Sequence, residues 1–198
     1  PLFGTAPEGR AYIYESTGLS WQEQAIFAPS ATSSLFGFDV AVSGNTIVIT
    51  DPWDGMGTAT ILERSGPAWV PTGPLVAASY PPFFFGSSVA IEGDRVIVGA
   101  NMTSFATPGG GDAGAAYIFR REPSGWTEEA LLLADSPVTD QNLGWDVDIS
   151  GEWAVVGTRG DGVYLFYRDV LVWSEFQYIP APVILTGAGV AVALDSQH

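Results

Sequence analysis

Apolar and polar positions alternate along this chain in short bursts, and the bursts recur in a fixed order. The first kind opens on glycine: Gly37-Phe38-Asp39-Val40-Ala41-Val42, Gly86-Ser87-Ser88-Val89-Ala90-Ile91, Gly144-Trp145-Asp146-Val147-Asp148-Ile149 and Gly187-Ala188-Gly189-Val190-Ala191-Val192. Their leading glycines are 49, 58 and 43 residues apart. Three of the four run through a short turn, Ser43-Gly44-Asn45, Glu92-Gly93-Asp94 or Ser150-Gly151-Glu152, into a β-branched second burst at residues 46–50, 95–98 and 153–156. A third kind begins at Gly9, Gly57, Gly114 and Gly162 and carries Tyr-Ile-Tyr, Thr-Ile-Leu, Tyr-Ile-Phe and Tyr-Leu-Phe. The fourth opens on Trp21, Trp69, Trp126 and Trp173. All are rich in Val, Ile and aromatics and bounded by Gly, Pro, Ser or Asp, which is how strands read. No segment longer than about ten residues holds a helical period.

Four strands in about 50 residues, joined by tight turns, is the unit of a β-propeller blade. The pattern therefore predicts an all-β chain of four-stranded antiparallel blades. A single twisted sheet with two apolar faces must stack on neighbours to bury both. Small residues in the first strand (Ala41, Ala90 and Ala191) let inner strands crowd together, and the outer Trp and Tyr fill the widening wedge. An ordinary sandwich gives no reason for Gly, Trp and Tyr to recur in phase. Residues 1–198 read as one repeat region: a partial unit 1–35, units 36–84, 85–142 and 143–185, and a partial unit 186–198. The chain is then a fragment or subunit of a larger propeller, or a small ring closed by residues 187–198 on residues 9–29. Either way, residues 189–194 are expected to form a strand, paired with residues 9–16 or with another chain.

Composition narrows the function classes. With 22 acidic against 7 basic residues the net charge is -15, and Lys is absent. Phosphate backbones need Lys and Arg to displace counterions, so nucleic acid is excluded as a partner. Cys is absent and the single His is His198, which removes disulfides, thiol chemistry, a Ser-His-Asp triad and multi-His metal sites. The longest uncharged apolar run, residues 178–194, is interrupted by Pro180 and Pro182 and does not read as a membrane span.

The pieces Phe36-Gly37, Phe85-Gly86 and Leu143-Gly144, with Val98-Gly99-Ala100 and Val156-Gly157-Thr158, resemble the FG-GAP repeat of integrin-α-like propellers. The short turns, followed later by Gly-Ala-x-Tyr-x-Phe, look like the variant common in secreted bacterial proteins. The resemblance implies an exported binding and scaffolding architecture. It also implies calcium held between the first two strands of a unit, and here the sequence departs. A hard cation takes about six to eight oxygens, and Gly44, Gly93 and Gly151 sit in turns too short to supply them. No metal and no cofactor is expected.

The loops between second and third strands carry the candidate ligand residues Asp51, Trp53, Asp54, Phe105, Asp112 and Asp161. Acids there can take a metal or sugar hydroxyls, and aromatics can stack; the same Asp and Gly also serve simply as turn formers. Because strand direction alternates, loops after the second and fourth strands emerge at one end, with Tyr80 among them. Asn101-Met102-Thr103 is a glycosylation sequon. Arg159-Gly160-Asp161 spells an adhesion tripeptide in a hairpin that should display it. Asp148 stands where its sister repeats have alanine, and with Asp39 and Asp146 it reads as the lining of a central channel. The sum is a non-catalytic extracellular binding or adhesion module with a protein or carbohydrate ligand. Its rivals are a structural subunit forming a homo-oligomer or larger assembly through blade edges, and a carboxylate hydrolase, the only enzyme class left without His, Cys or Lys.

Overall fold

The computed structural model describes residues 9–29, 35–104, 111–181 and 190–195. Within them the chain forms fourteen strands in four antiparallel sheets, with no helix. A two-stranded half-blade comes first, β1 (Ala11–Ser16) and β2 (Trp21–Phe27). The first full blade is β3 (Val40–Ser43), β4 (Thr46–Asp51), β5 (Thr58–Ser65) and β6 (Ala68–Pro74). The second is β7 (Phe85–Glu92), β8 (Arg95–Ala100), β9 (Ala115–Glu122) and β10 (Gly125–Leu132). The third is β11 (Val147–Ser150), β12 (Trp153–Gly157), β13 (Gly162–Asp169) and β14 (Val172–Pro180). Each full sheet keeps chain order from inner to outer strand, and the inner strands β3, β7 and β11 lie side by side. This is β-propeller architecture.

Local chemistry explains the hairpins. Ser43 pairs with Thr46, Glu92 with Arg95 and Ser150 with Trp153, leaving two-residue turns. Their first central residues, Gly44, Gly93 and Gly151, have φ of 56°, 57° and 58°, the left-handed conformation that tight hairpins require and glycine adopts freely. Every fourth strand also carries one extra residue at the same place, three after its Trp: Gln24, Thr72, Glu129 and Phe176 bulge out of register. A bulge bends the strand and increases its twist, which suits the outer edge of a wedge-shaped blade.

The cores lie between blades. Ala11 and Ile13 of the half-blade meet Ile47, Ile49 and Leu62 of the first blade. Ala59 and Ile61 of the first blade meet Val96, Val98, Tyr117 and Phe119 of the second. Ile97, Ala116 and Ile118 of the second meet Tyr164, Phe166 and Trp173 of the third. The four Trp residues occupy equivalent positions. Trp69, Trp126 and Trp173 lie opposite Arg64, Arg121 and Arg168, and Trp21 opposite Ser16. Trp173 is buried and Trp69 and Trp126 are largely so, but Trp21 is 72% exposed. Among the described residues no blade stands against its face of the half-blade.

The expected strand over residues 189–194 is corrected in its described part. Residues 190–195 are extended but form no ladder. The backbone N–H of Val190 donates to Thr158 O (3.1 Å), that of Val192 to Asp146 Oδ2 (2.7 Å) and that of Leu194 to Asp148 Oδ2 (2.6 Å). These amides are satisfied by the third blade rather than by residues 9–16. The segment lies where the inner strand of a following blade would begin.

Candidate functional site

The described loops after the second and fourth strands of the blades converge on one end of the molecule. Tyr80 donates its hydroxyl to Ser104 O (2.9 Å), Asn142 N donates to Asp112 O (3.1 Å), and Trp53 meets Phe84 edge-on at 5.4 Å between ring centroids. Among the described residues the opposite end carries only the short turns.

Two concavities open among these loops. The larger, about 510 Å³, lies between the second and third blades. Its walls include Tyr164 and Tyr178, whose rings lie 4.6 Å apart, and the acids Asp135, Asp161 and Glu175. The bulge in β14 and the loop of residues 158–161 set these groups. Thr158 Oγ1 donates to Gly162 O (2.9 Å) and accepts the N–H groups of Asp161 (3.2 Å) and Gly162 (3.0 Å), closing the loop tightly. Buried Gln141 donates to the Tyr164 hydroxyl (2.6 Å), and Tyr178 donates to Asp161 O (2.7 Å). Burial pushes both phenols up from their ordinary value, and neighbouring acids add to the shift. Both therefore stay protonated and neutral at physiological pH. No Lys or Arg lines this cavity.

The second concavity, about 500 Å³, sits at the inner ends of the blades between Phe38, Phe84, Trp145, Asn101 and Asp146. Phe84 has φ of 61°, a left-handed conformation that a bulky aromatic adopts only at a cost. That conformation aims its ring edge-on at both Phe38 (6.3 Å) and Trp53. Phe38 is 50% and Trp53 62% exposed, so the inner mouth is rimmed with accessible aromatic surface.

The candidate residues named from sequence divide between these settings. Trp53 and Asp54 are exposed at the inner loop, and Asp161 lines the larger cavity. Asp51 is 1% exposed and accepts the Trp53 N–H, so it holds its own loop together. Asp112 accepts the Ser104 hydroxyl (2.8 Å) within the long loop. Phe105 lies outside the described residues. Asn101 is 5% exposed, so its amide does not stand in solvent where a glycan would need it. The adhesion tripeptide is displayed only in part. Gly160 is buried, Arg159 is exposed and lies over the Trp145 ring at 5.7 Å, and Asp161 is half-buried in the wall of the larger cavity.

The inner-strand carboxylates act as joints between blades, and Asp146 also lines the second concavity. Asp39 Oδ1 accepts the N–H of Val40 (2.8 Å) and its Oδ2 that of Val89 in the next blade (2.8 Å). Asp146 does the same for Val147 (3.1 Å) and Val192, and Asp148 for Ile149 (2.9 Å) and Leu194. In the second blade the hydroxyls of Ser87 and Ser88 donate instead to Gly144 O, at 2.9 and 3.0 Å. Burial pushes the Asp39 carboxyl up, against the two N–H donors that pull it down, and the charge of Asp146 adds a further rise.

Sequence reasoning missed Tyr164, Tyr178, Glu175 and Gln141. The only signal was the recurring Tyr of the third strand, which marks Tyr164 alone and reads equally as core.

Fold and loop face together define a β-propeller segment that carries recessed, acidic and aromatic surface at one end. Residues 84–119 and 126–164 match the FG-GAP repeat family model. Both matches fall on the second and third blades. A search of curated proteins gives no match.

Proposed function

We propose that the chain is a non-catalytic extracellular binding or adhesion module whose ligand enters the cavity between the second and third blades. The FG-GAP repeats support the class, since such propellers are generally non-catalytic and typical of extracellular proteins. The observation that carries the site is the tyrosine-walled cavity with three carboxylates and no cation. Neutral Tyr rings offer a stacking face, while the acids accept hydrogen bonds from hydroxyls or from ammonium and guanidinium groups. A hydroxyl-rich sugar or a basic segment of a protein fits that chemistry. The net charge of -15 repels polyanions and favours neutral or cationic partners.

Arrays of glycans and of Arg- and Lys-containing peptides provide the test. Wild type should bind one class, Tyr178→Ala and Glu175→Gln should lose at least tenfold in affinity, and Asp94→Asn on the short-turn end should lose none. Binding that survives both cavity variants, or is lost in Asp94→Asn, refutes the site.

A further inference from the structure

We propose that the occupant of the cavity between the second and third blades is a peptide segment. Its Ser or Thr hydroxyl donates to Glu175, a main-chain carbonyl accepts the Tyr164 hydroxyl, and a basic side chain lies beside Asp135 and Asp161. This names the ligand class for the cavity and rests on the reading of that cavity as the binding site. The support comes from the preceding seam, where the chain fills the same place with its own residues.

Both seams lie between complete four-stranded blades, one between the first and second and one between the second and third. Strand register sets Tyr117 opposite Leu131 and Tyr164 opposite Tyr178, at matching distances beyond Trp126 and Trp173. The same register sets Glu128 opposite Phe119 and Glu175 opposite Phe166. Each seam therefore offers one tyrosine and one glutamate in equivalent places.

At the first of these seams the loop after β6 engages both groups. Glu128 accepts the N–H groups of Ala78 and Ser79 and the Ser79 hydroxyl. Tyr117 donates its hydroxyl to Tyr80 O (2.9 Å). Tyr80 in turn donates to Ser104 O, in the loop that joins β8 to β9. Three consecutive residues, main chain plus one serine hydroxyl, thus meet what the tyrosine and the glutamate require.

At the second seam only the first of these contacts recurs. The Asp135 N–H donates to Glu175 Oε2 (2.7 Å), as the Ala78 N–H does to Glu128. Ser136, the counterpart of Ser79, is exposed, and among the described residues nothing donates to Glu175 Oε1. The Tyr164 hydroxyl accepts Gln141 (2.6 Å), whose own carbonyl oxygen takes the Val138 N–H (3.4 Å). The Tyr164 proton is left with no acceptor among the described residues, although the side chain is only 5% exposed, and buried donors are ordinarily paired. The loop that joins β12 to β13 is also short, residues 158–161. The place that Ser79 and Tyr80 take at one seam is therefore an open cavity at the other, walled by Ser136, Gln141, Tyr164 and Glu175.

Charge separates a peptide from a sugar. The positions of Ala78 and Ala113 at the filled seam hold Asp135 and Asp161 at the open one, beside Glu175 and with no Lys or Arg in the wall. Sugar hydroxyls would answer the hydrogen bonds but leave this negative charge unbalanced, whereas a Lys or Arg side chain answers it.

Fluorescence anisotropy of labelled peptides on the full chain provides the test. The probes are a peptide of residues 75–82, the same peptide with Ala78→Lys, and each of these with Ser79→Ala. The Ala78→Lys peptide should bind about threefold more tightly than its parent, the size of an exposed ion pair. Removing the serine hydroxyl should cost about tenfold, the size of a hydrogen bond to a charged group. Glu175→Gln and Tyr164→Phe in the protein should each weaken the parent peptide about tenfold, and Asp94→Asn should leave it unchanged. Against Glu175→Gln the serine should make no further difference, a coupling that a purely structural role for Glu175 would not produce. Peptides that bind no better than a scrambled sequence overturn the proposal, as does a serine effect that persists in Glu175→Gln. If an oligosaccharide binds wild type but not Glu175→Gln, the peptide class falls and the site stands; if no ligand depends on Glu175, both fall. The Ser79→Ala comparison uses wild-type protein alone, so it decides the matter even if a protein variant fails to fold.

Discussion

At the residue scale, the same side chain has a different value according to the blade that holds it. Trp173 is 9% exposed between two blades, whereas Trp21 at the equivalent place is 72% exposed. Truncating a packed aromatic to alanine costs about 3–5 kcal/mol. Trp173→Ala should therefore lose about that much in urea unfolding, and Trp21→Ala should change the stability of a dilute single chain by only about 0.5 kcal/mol. Asp39 differs from an ordinary carboxylate because burial raises its pKa. The folded chain binds this proton more tightly than the unfolded one. Stability linked to Asp39 is therefore present below the raised value and falls as pH climbs from the ordinary 3.8 through it. Asp39→Asn should flatten that part of the stability–pH curve, read from melting temperatures across the acid range.

At the element scale, glycine fixes how one blade meets the next. A Cβ on Gly114 would lie 2.2 Å from Leu143 O and 2.3 Å from Leu143 N, and φ there is already 80°. Gly57 stands in the same relation to Phe85, and both glycines bridge those residues in parallel. The apolar-Gly pair that opens a unit is thus seated on the glycine that opens the third strand of the preceding one. Gly114→Ala should cost about 3 kcal/mol, from backbone overlap and left-handed strain together, measured by urea unfolding. Gly66, with φ of 61° but nothing within reach of its Cβ, is the control and should cost only about 1 kcal/mol as alanine.

At the scale of the whole molecule, the blades are joined by more than apolar contact. Arg95, Glu129, Arg168 and Glu152 form a linked cluster across the second and third blades, with side chains of Arg95, Glu129 and Arg168 only 14%, 10% and 8% exposed. Breaking such a group leaves charge buried without its partner, which costs about 3–5 kcal/mol. Lighter joints tie down the last described segment. The Leu194 amide should exchange slowly with solvent because Asp148 accepts it, and Asp148→Ala should release Leu194 while leaving Val190, bonded to Thr158 O, protected. Uniformly fast exchange over residues 190–194 in wild type would show that the segment does not rest on the third blade.

The sequence by itself determined the blades. Period-two alternation, two-residue glycine turns and an in-phase Trp are local requirements of a strand and its hairpin, so they are visible without any partner. Even the start of each fourth strand was legible, to within one residue, from Trp21, Trp69, Trp126 and Trp173. What tertiary structure alone decided was the use of polar and aromatic positions between blades. That Asp146 also holds the Val192 amide could not be read from sequence, because the two lie 46 residues apart along the chain. Tyr164 looked like core because strand pattern gives the face a side chain takes, not the depth to which that face is covered. Asn101 looked like a surface sequon for the same reason, although the fold buries it. Exposure depends on which blade stands opposite, and that is settled by contacts some 50 residues away along the chain, beyond the reach of any local pattern.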